Sequence, residues 1–455
     1  MSSNSLVNDA ENIRAGNEYA SGVEAQSYVE SQVGASAVAS PSVHKPSRGP
    51  HILLATTGQL PSTARLAMEF HDAGARVSLI SPRNHPARVL DLVSGQVIYH
   101  ALDSIGCLEA ALLRLRPDMV IPCDERAVRD LHAICLKTRH LEVKRLIQKS
   151  TCRSENYQIV TSRAELLALA GREGVRVPRS VALPDNAALG QWIAENPAPF
   201  VLKADGSWAG FGVRIISDAT GAKDAFAVMT RPASGRLGLR ESLLEGNHFG
   251  IKPWLRQERP VMSVQGYIDG WPANIGVACW QGEVLAAVCA ESVSTLSATG
   301  PSTAARIIHN SEMIETAKSI VAALGLSGLI GFDFMVEAAT GTAWLIEMNP
   351  RSTPICALRL GPGRDLAEAL VARLAGRNPR ERPSRIDSDI VVFFPDTWQV
   401  DPSNALLHSG FHDVPWEQPA LVRVLMKPER RERYWALRML RRLWLARRPE
   451  SEQQG

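Results

Sequence analysis

The stretch that most constrains the fold covers residues 331–351, where two apolar segments flank a turn-forming Ala-Thr-Gly-Thr. β-Branched and aromatic residues around such a turn favour a β-hairpin over a helix. If the turn centres near Thr340, Asp333 lies opposite Glu347 on the neighbouring strand. Two carboxylates that face each other repel, so this pairing predicts a cation or a proton between them.

Every second residue at the end of this hairpin is polar, namely Glu347, Asn349 and Arg351. The two-residue period of a strand places these side chains on the face that Asp333 shares. Carboxylate and amide oxygens suit Mg²⁺, which keeps waters and is completed by substrate phosphates, and an adjacent arginine grips a carboxylate or phosphate. The hairpin therefore indicates a metal and phosphate site, with a solvated surface hairpin as the alternative.

Composition places the chain among globular proteins. It has 455 residues, 45% apolar and 21% charged, which gives room for two or three domains. No apolar run reaches the roughly 20 residues that span a bilayer, and the N-terminus lacks the features of a signal peptide, so we expect a cytoplasmic protein. The seven cysteines are scattered, which predicts neither disulfides nor a zinc site. The net charge of +3 gives no argument for nucleic acid as a partner.

Strand and helix patterns alternate after residues 1–48, a leader rich in Ser, Ala, Asn, Gly and Glu that we expect to be disordered. The alternation predicts a small doubly wound sheet between residues 49 and 150. The predicted strands are 51–56, 76–81, 97–100 and 119–122, and the predicted helices are 61–73, 108–115 and 125–137.

Two features lie at the carboxyl edge of this predicted sheet, where such sheets bind ligands. The loop 56–62 follows the first strand at a helix N-terminus, without a G-x-G-x-x-G pattern. Asp124 and Glu125 follow the fourth strand, and their alternative role is to complement the dipole of the helix that they begin. We assign neither feature to catalysis.

The next segment contains Ser162, a predicted N-cap of a helix that ends near residues 171–174. Residues 200–216 then have the pattern of a strand, a glycine-rich loop and a second strand. Glycines leave backbone N–H groups free to wrap phosphates, toward which Lys203 projects a point charge, with a plain glycine hairpin as the alternative. The loop glycines are Gly206, Gly210 and Gly212.

Residues 261–290 are rich in β-forming residues and predict strands of one antiparallel sheet. A helix predicted at about 311–324 precedes the acidic hairpin, and a helix at about 365–375 closes the domain. The chain thus contains, in order, an α/β domain, a lysine before a glycine-rich loop, a β-rich segment and a hairpin ending in Glu-x-Asn-x-Arg.

This order of parts, over roughly residues 50–380, resembles the ATP-grasp superfamily. The resemblance implies an α/β plus α+β architecture with a small doubly wound pre-ATP-grasp domain at 49–150. An ATP-grasp domain would follow at 151–380, with two α+β subdomains that clamp MgATP and a lid subdomain at about 200–265. A helical extension would occupy 381–455.

The resemblance also implies roles for residues around the nucleotide. Lys203 would contact the α- and β-phosphates, the lid would cover them, and the hinge residues Gln265, Tyr267 and Ile268 would line the adenine. The implied ATP-binding residues are Arg163, Lys203, Gly206, Ser207, Gly210, Gly212, Gln265, Tyr267 and Ile268. Departures from the common family residues are Arg163 for a lysine, Gly266 for a glutamate and Phe211 for a basic residue.

By the same resemblance, Asp333, Glu347 and Asn349 would hold one or two Mg²⁺ ions, with Mn²⁺ as an alternative. Arg351 and Arg306 would be the catalytic residues that face the γ-phosphate or the acyl-phosphate. Positive charge at these positions suits phosphoryl transfer, which depends on positioning and electrostatics more than on covalent chemistry by the protein.

The C-terminal segment 427–448 combines basic and apolar residues in a helical pattern. Such a basic amphipathic helix can dock on an anionic membrane surface. The alternative is that its apolar side packs on the catalytic domain or on the second subunit of a homodimer. Its arginines are Arg430, Arg431, Arg433, Arg438, Arg441, Arg442, Arg447 and Arg448.

The resemblance implies an ATP-dependent ligase that activates a small carboxylate as an acyl-phosphate and joins it to an amine, releasing ADP and phosphate. One alternative uses bicarbonate, as carboxylases and carbamoyl-phosphate-forming enzymes do. Another is a non-catalytic nucleotide-binding module that docks through its basic tail. We expect the substrate pocket to form from the loop after the first strand, residues 292–303 and the residues after Arg351.

Overall fold

The computed structural model of the protein describes residues 49–204, 212–231, 259–297 and 299–426. No helix in these four ranges is both long and apolar enough to cross a membrane. The predicted features that lie outside the described residues are the leader 1–48, Gly206, Ser207, Gly210 and Phe211 of the lid, and the basic segment 427–448.

The N-terminal domain is a four-stranded parallel sheet of order β3-β2-β1-β4. Its elements are β1 (His51–Ala55), α1 (Pro61–Asp72), β2 (Arg76–Ser81), β3 (Val93–Ile98), α2 (Ser104–Leu115), β4 (Met119–Pro122), α3 (Glu125–Lys137) and α4 (Leu141–Ser150). The predicted doubly wound sheet is confirmed. Helix α4 was not predicted, although the buried Val143 and Ile147 lie one helical turn apart and give the periodic signal.

A second, antiparallel sheet has the order β5-β8-β6-β7, and we call it the lid sheet. This part of the chain contains α5 (Tyr157–Thr161), α6 (Arg163–Arg172), β5 (Ser180–Leu183), α7 (Asn186–Glu195), β6 (Phe200–Ala204), β7 (Val213–Ile216), α8 (Ala219–Met229) and β8 (Met262–Gly266). Trp192 of α7 and Phe226 of α8 share a hydrophobic core with the strands. Strand β5 lies outside the predicted lid bounds of about 200–265, because its short, half-exposed sequence carries little signal.

The third sheet has seven strands in the order β13-β12-β9-β10-β11-β14-β15, and we call it the core sheet. The remaining elements are β9 (Gly270–Trp280), β10 (Glu283–Thr295), β11 (Ser302–Ile308), α9 (Ser311–Leu324), β12 (Gly328–Glu337), β13 (Ala343–Asn349), α10 (Leu366–Leu374), β14 (Ile390–Val392), α11 (Asp396–Val400), α12 (Leu406–Ser409), β15 (Phe411–His412) and α13 (Pro419–Leu425). Helices α9 and α10 cover opposite faces of this sheet, because they pack on residues of opposite parity along β9.

The expectation that residues 261–290 form one antiparallel sheet is wrong for the first strand. β8 pairs with β5 and β6 in the lid sheet, whereas β9 and β10 lie in the centre of the core sheet. The chain crosses between the two sheets at residues 267–269. Residue patterns report that a segment is a strand, but they do not report which of two sheets it joins.

The N-terminal domain is fixed to the core sheet by shared hydrophobic cores. Phe70 of α1 and Leu370 of α10 belong to one cluster, and Leu53 of β1 and Phe332 of β12 belong to another. Because both faces of the core sheet contribute to clusters that also contain N-terminal residues, the carboxyl edge of the first sheet is held against the acidic hairpin.

Ion pairs reinforce this junction. Arg382 binds Asp365, with Nη2 2.6 Å from Oδ2, and lies 3.3 Å from Glu69 of α1. Glu368, which is 1% exposed, accepts hydrogen bonds from Arg377 Nη1 at 2.5 Å and Arg380 Nη2 at 3.0 Å. Burial raises the pKa of the Glu368 carboxyl, but the hydrogen bonds from the two arginines outweigh burial and lower it to about 2.

Candidate active site

Asp333 and Glu347 are directly opposite each other in the β12–β13 ladder, so the predicted pairing is confirmed. The register shifts immediately afterwards, where Phe334 pairs with Leu345. Such an irregularity re-aims side chains locally and is frequent beside functional sites. The hairpin therefore forms as its sequence predicts, with two carboxylates on one face.

The end of β13 brings further polar groups to the same place. Asn349 Nδ2 donates to Asp333 Oδ2 at 2.8 Å, and Arg351 Nη2 donates to Asn349 Oδ1 at 3.2 Å. Arg163, at the first position of α6, donates from Nη2 to Glu347 Oε1 at 2.7 Å. Ser162 caps this helix by accepting a hydrogen bond from the backbone N–H of the third helical residue, as predicted, and this cap fixes the place of the arginine.

Burial and nearby charges shift the pKa values of the two carboxylates in opposite directions. Burial raises the pKa of Asp333, the negative charge of Glu347 raises it further, and the value reaches about 6. Burial also tends to raise the pKa of Glu347, but the positive charges of Arg163 and Lys203 outweigh it and lower that pKa below its usual value. Glu347 is thus ionised at neutral pH, and Asp333 is the group whose charge changes near pH 6.

The donor set fits a Mg²⁺ ion that shares its coordination with phosphates. The described residues contain no group of three or more His, Cys, Asp or Glu side chains that could hold a metal. Asp333 and Glu347 therefore supply two carboxylates, which suits an ion completed by phosphate oxygens and water rather than a cage of protein ligands. Burial and the charge of Glu347 raise the pKa of Asp333, and a cation bound between the two carboxylates would favour its ionised form. Asn349 would need to turn its amide, since its nitrogen and not its oxygen meets Asp333.

Lys203 lies on the lid sheet with its side chain buried to 5% exposure. Its Nζ donates to Gln265 Oε1 at 2.6 Å, and Gln265 Nε2 donates to Ser180 Oγ at 3.2 Å. The positive charge of Lys203 also acts on Asp333 and Glu347. Gln265, which is predicted to line the adenine, accepts the hydrogen bond that holds the lysine amine.

The chain segment between the two sheets contains the other predicted adenine residues. Tyr267 is 37% exposed and Ile268 is half-buried, and both lie between β8 and β9. The backbone N–H of Gly266 donates to the carbonyl of Arg179 at 2.8 Å. On the lid, the carbonyl of Gly212 accepts from the N–H of Ala204 at 2.8 Å and closes the base of the loop whose other predicted residues lie outside the described ranges.

Arg306 does not join this site. The ladder register runs from Asp333 across β9 and β10 to Ile307, so Arg306 lies on the opposite face of the core sheet. Three inter-strand steps of about 4.8 Å also separate the two strands. Arg306 is half exposed, and its Nε lies 3.8 Å from Asp389 Oδ2. Its predicted catalytic role is therefore corrected, because the sequence order of a residue does not report the face on which it lies.

Glu125 lies in the site, although the sequence analysis assigns it no catalytic role. Arg351 donates to Glu125 Oε1 from Nε at 2.6 Å and to the carbonyl of Ser352 from Nη1 at 3.0 Å. Burial tends to lower the pKa of Arg351, but the Glu125 carboxylate outweighs it and raises that pKa. Glu125 begins α3 at the carboxyl edge of the first sheet, and this position was the available signal.

Asp124, one of the two acids expected to complement the helix dipole, also caps the helix. It caps α3 by accepting from the N–H of Ala127 at 2.9 Å. It also accepts from the N–H of Thr57 at 2.6 Å and from the hydroxyl of Thr56 at 3.1 Å. The loop after β1 is therefore tied to the start of α3, which leaves the neighbouring Glu125 to face Arg351.

A cavity of about 60 Å³ opens where β13, the start of α3 and the α5–α6 junction meet. Glu125, Arg163, Glu347 and Asn349 are among its lining residues. Residues 292–303, which we expected to contribute to a substrate pocket, have several hydroxyls bonded to one another, as in the 2.7 Å contact between Ser292 and Ser302. The cavity beside Glu347 and Asn349 is not lined by residues 292–303.

A protein-family model matches this part of the chain. The sequence profile of the ATP-grasp domain matches residues 168–354, which include the lid sheet and the acidic hairpin. No curated protein sequence matches the chain significantly.

Solved structures share the fold at low sequence identity. N5-carboxyaminoimidazole synthetase from Staphylococcus aureus has 12% identity and a TM-score of 0.51, over 73% of this chain and 78% of that one. Biotin carboxylase from Campylobacter jejuni has 17% identity and a TM-score of 0.53, over 74% of this chain and 73% of that one. The carboxyaminoimidazole ribonucleotide synthase from Aspergillus clavatus, solved with ATP, has 13% identity and a TM-score of 0.54, over 75% of this chain and 81% of that one.

The matched domain, the parallel N-terminal sheet and the two antiparallel sheets joined at residues 267–269 form the ATP-grasp architecture. Residues 168–354 thus match the ATP-grasp domain in sequence, and the chain shares its fold with these solved structures.

Proposed function

We propose that the chain is an ATP-dependent ligase that activates a carboxylate as an acyl-phosphate and joins it to an amine, with release of ADP and phosphate. The observation that carries the proposal is the convergence of two facing carboxylates, Asp333 and Glu347, with Lys203, Arg163 and Arg351. The match of residues 168–354 to the ATP-grasp domain and the shared fold support an ATP-dependent ligase or carboxylase in general, and the C–N bond is the finer part of the proposal.

The nucleotide would lie between the lid sheet and the core sheet. Lys203 and Arg163 would bind its phosphates, and residues 267–268 would border the adenine. Asp333 and Glu347 would hold one or two Mg²⁺ ions, or Mn²⁺, with Asn349 contributing once its amide turns. The metal would supply charge neutralisation at the phosphates and orient them.

The chemistry would follow in two displacements. A carboxylate oxygen of the first substrate attacks the γ-phosphorus, and the bond to the bridging oxygen breaks as ADP leaves. The amine nitrogen then attacks the acyl carbon, the bond to the phosphate oxygen breaks, and the nitrogen loses a proton. Arg351, held by Glu125 and Asn349, would stabilise the phosphate oxygens in both steps, because fixed donors favour the transition state without reorganisation.

Two substitutions test the proposal. Glu347→Ala and Lys203→Ala are expected to abolish ADP release stimulated by acids and amines, while circular dichroism shows a folded protein. Matched controls are Glu337→Ala, at the hairpin turn, and Lys318→Ala, on the exposed face of α9, which should leave ADP release unchanged. Normal turnover in the first two variants would contradict the proposal.

Other parts of the proposal concern the setting of the reaction. We infer a cytoplasmic protein that acts on small molecules and not on nucleic acid. Docking of the segment 427–448 on a membrane or on a second subunit remains a prediction for residues outside the described ranges. Bicarbonate belongs in the panel of acids, and stimulation by bicarbonate alone would indicate the carboxylase alternative. Nucleotide binding without turnover on any acid would indicate the non-catalytic module.

A further inference from the structure

The cavity beside the metal-binding residues combines charged groups with an apolar wall. Glu125 and Arg129 from α3 line it, together with the apolar Val128, Val160 and Met348. The Arg163–Glu347 ion pair also lines the cavity, whereas among the described residues Glu125 and Arg129 are not paired with each other.

Glu125 retains one carboxylate oxygen for a ligand. The hydrogen bond from Arg351 Nε and the ion pair with Arg351 Nη2, both at 2.6 Å, reach Oε1. In the described part of the chain Oε2 has no hydrogen-bond donor. The side chain is 29% exposed, so a ligand in the cavity can reach this oxygen. A carboxylate oxygen accepts hydrogen bonds and attracts positive charge, which makes it a receptor for an amine.

Arg129 lies one helical turn after Glu125, the spacing at which a glutamate and an arginine normally pair. This pairing does not form, because the carboxylate of Glu125 is turned to Arg351. Among the described residues no hydrogen bond or ion pair involves the guanidinium of Arg129, and its side chain is exposed at the cavity. A planar guanidinium with free donors binds a carboxylate with two parallel hydrogen bonds.

The size of the cavity limits the ligand. One water requires roughly 10–15 Å³ of such space, and the cavity holds about 60 Å³. The cavity therefore has room for a small molecule. The apolar part of the lining, which includes Val128, Val160 and Met348, suits a short aliphatic group.

We propose that this cavity binds the acceptor substrate, and that the acceptor is a small α-amino acid. Its amine lies against Glu125 Oε2 and its carboxylate against Arg129, while its side chain meets the apolar wall. The inference rests on the proposed ligase function and adds the class of the amine to it. The Glu125 carboxylate that would bind the amine also holds Arg351. Only the guanidinium of Arg351 would therefore separate the amine from the phosphate oxygens.

The test measures binding of four defined probes to the full chain. Glycine, L-alanine, ethylamine and propionate are each titrated by saturation-transfer NMR in the presence of a non-hydrolysable MgATP analogue. L-Alanine and glycine should bind about tenfold or more tightly than ethylamine, which lacks the carboxylate, or propionate, which lacks the amine. Equal binding of all four probes would overturn the proposal.

Three variants separate the two ends of the ligand. Arg129→Met should weaken the binding of L-alanine about tenfold and leave the binding of ethylamine unchanged. Glu125→Gln should weaken the binding of L-alanine and ethylamine and leave the binding of propionate unchanged. Because Glu125→Gln also alters the contact with Arg351, Thr161→Trp at the exposed rim serves as an independent variant that fills the cavity and excludes L-alanine. Controls are Arg145→Met on α4 and Gln158→Trp on α5, both exposed and outside the cavity.

The same samples distinguish this inference from the proposed function. If the MgATP analogue binds and neither glycine nor L-alanine does, the acceptor site is overturned and the nucleotide site is retained. If the amino acids bind as expected and the analogue does not, the ligase function fails and the amino acid site is retained. Unchanged L-alanine binding in Arg129→Met and Thr161→Trp would overturn the assignment of the cavity.

Discussion

Arg163 Nη2 lies 2.7 Å from Glu347 Oε1, so a guanidinium contacts one oxygen of a proposed metal ligand. The arginine side chain is 7% exposed, so removal of either partner would leave the other charge unpaired in a largely buried site. It explains how Glu347 stays ionised in a buried site that also contains Asp333. If Arg163 also binds the nucleotide phosphates, as proposed, the phosphates and Glu347 compete for its guanidinium.

The first prediction concerns this arginine. Arg163→Ala should weaken binding of a MgATP analogue by about 10- to 100-fold, because a buried charge-assisted contact to phosphate is lost and Glu347 loses its partner. Arg163→Lys should retain part of the affinity, since it keeps the charge without the planar fork. Isothermal titration calorimetry measures both. Arg172→Ala, at the exposed end of the same helix, is the control, and equal affinity in Arg163→Ala and this control would refute the role.

The second prediction is a pH dependence of metal binding. Asp333 has a pKa of about 6, and a metal ion binds only its ionised form. Metal affinity should therefore be constant above pH 7 and fall roughly tenfold per unit below pH 6. Titration with Mn²⁺, followed by electron paramagnetic resonance at pH 5 and 7.5, measures the change. Asp333→Asn should bind weakly at both values and lose most of the dependence, and an unchanged pH profile in this variant would contradict the assignment.

The third prediction concerns stability at the junction of the two domains. The pKa of Glu368 is lowered to about 2, so its ionised form stabilises the fold above its unfolded pKa near 4.5. That stability is lost as the pH falls through this range toward 2. Glu368→Gln should lower the free energy of unfolding by roughly 2–4 kcal/mol at pH 7, and the deficit should shrink by more than half at pH 3. Urea unfolding measures both values.

Glu381→Gln, in the exposed segment that follows α10, is the control for this experiment and should change the free energy of unfolding by less than about 0.5 kcal/mol. A deficit in Glu368→Gln that is the same at pH 3 and pH 7 would show that charge does not cause it.

The fourth prediction concerns Gly270, the first residue of the core sheet after the chain leaves the lid sheet. A Cβ at this position would lie 1.9 Å from the backbone carbonyl oxygen of Val336, which cannot move without opening the ladder. Gly270→Ala should therefore lower the free energy of unfolding by at least about 2 kcal/mol and weaken nucleotide binding. Gly190→Ala on α7 has open space around the new Cβ and should be neutral or stabilising. Equal stability of the two variants would contradict this account.

The sequence predicted local structure well where one strong pattern dominated. The Asp333–Glu347 pairing followed from a turn and a two-residue period, and α9 has the bounds that its apolar spacing indicated. Both features depend on residues that are close together in the sequence. The resemblance to ATP-grasp proteins depended on the order of such local features, which is why the fold was recognised.

Relationships between distant segments were harder to predict. β8 joins a different sheet from β9, Arg306 lies on the far face from the acidic hairpin, and Glu125 contacts an arginine more than two hundred residues away in sequence. None of these contacts leaves a periodic signal. Gln265 illustrates the same limit, because its position near the adenine was implied by resemblance while its hydrogen bond to Lys203 depends on side-chain geometry.

The most direct test of the central claim follows oxygen from substrate to product. The full chain is incubated with MgATP, a panel of amino acids and carboxylates labelled with ¹⁸O in the carboxyl group, and the released phosphate is analysed by mass spectrometry. Activation as an acyl-phosphate predicts one ¹⁸O atom in each phosphate formed with a productive acid, and none with Glu347→Ala. Release of ADP with phosphate that carries no ¹⁸O, for every acid in the panel, would contradict the account.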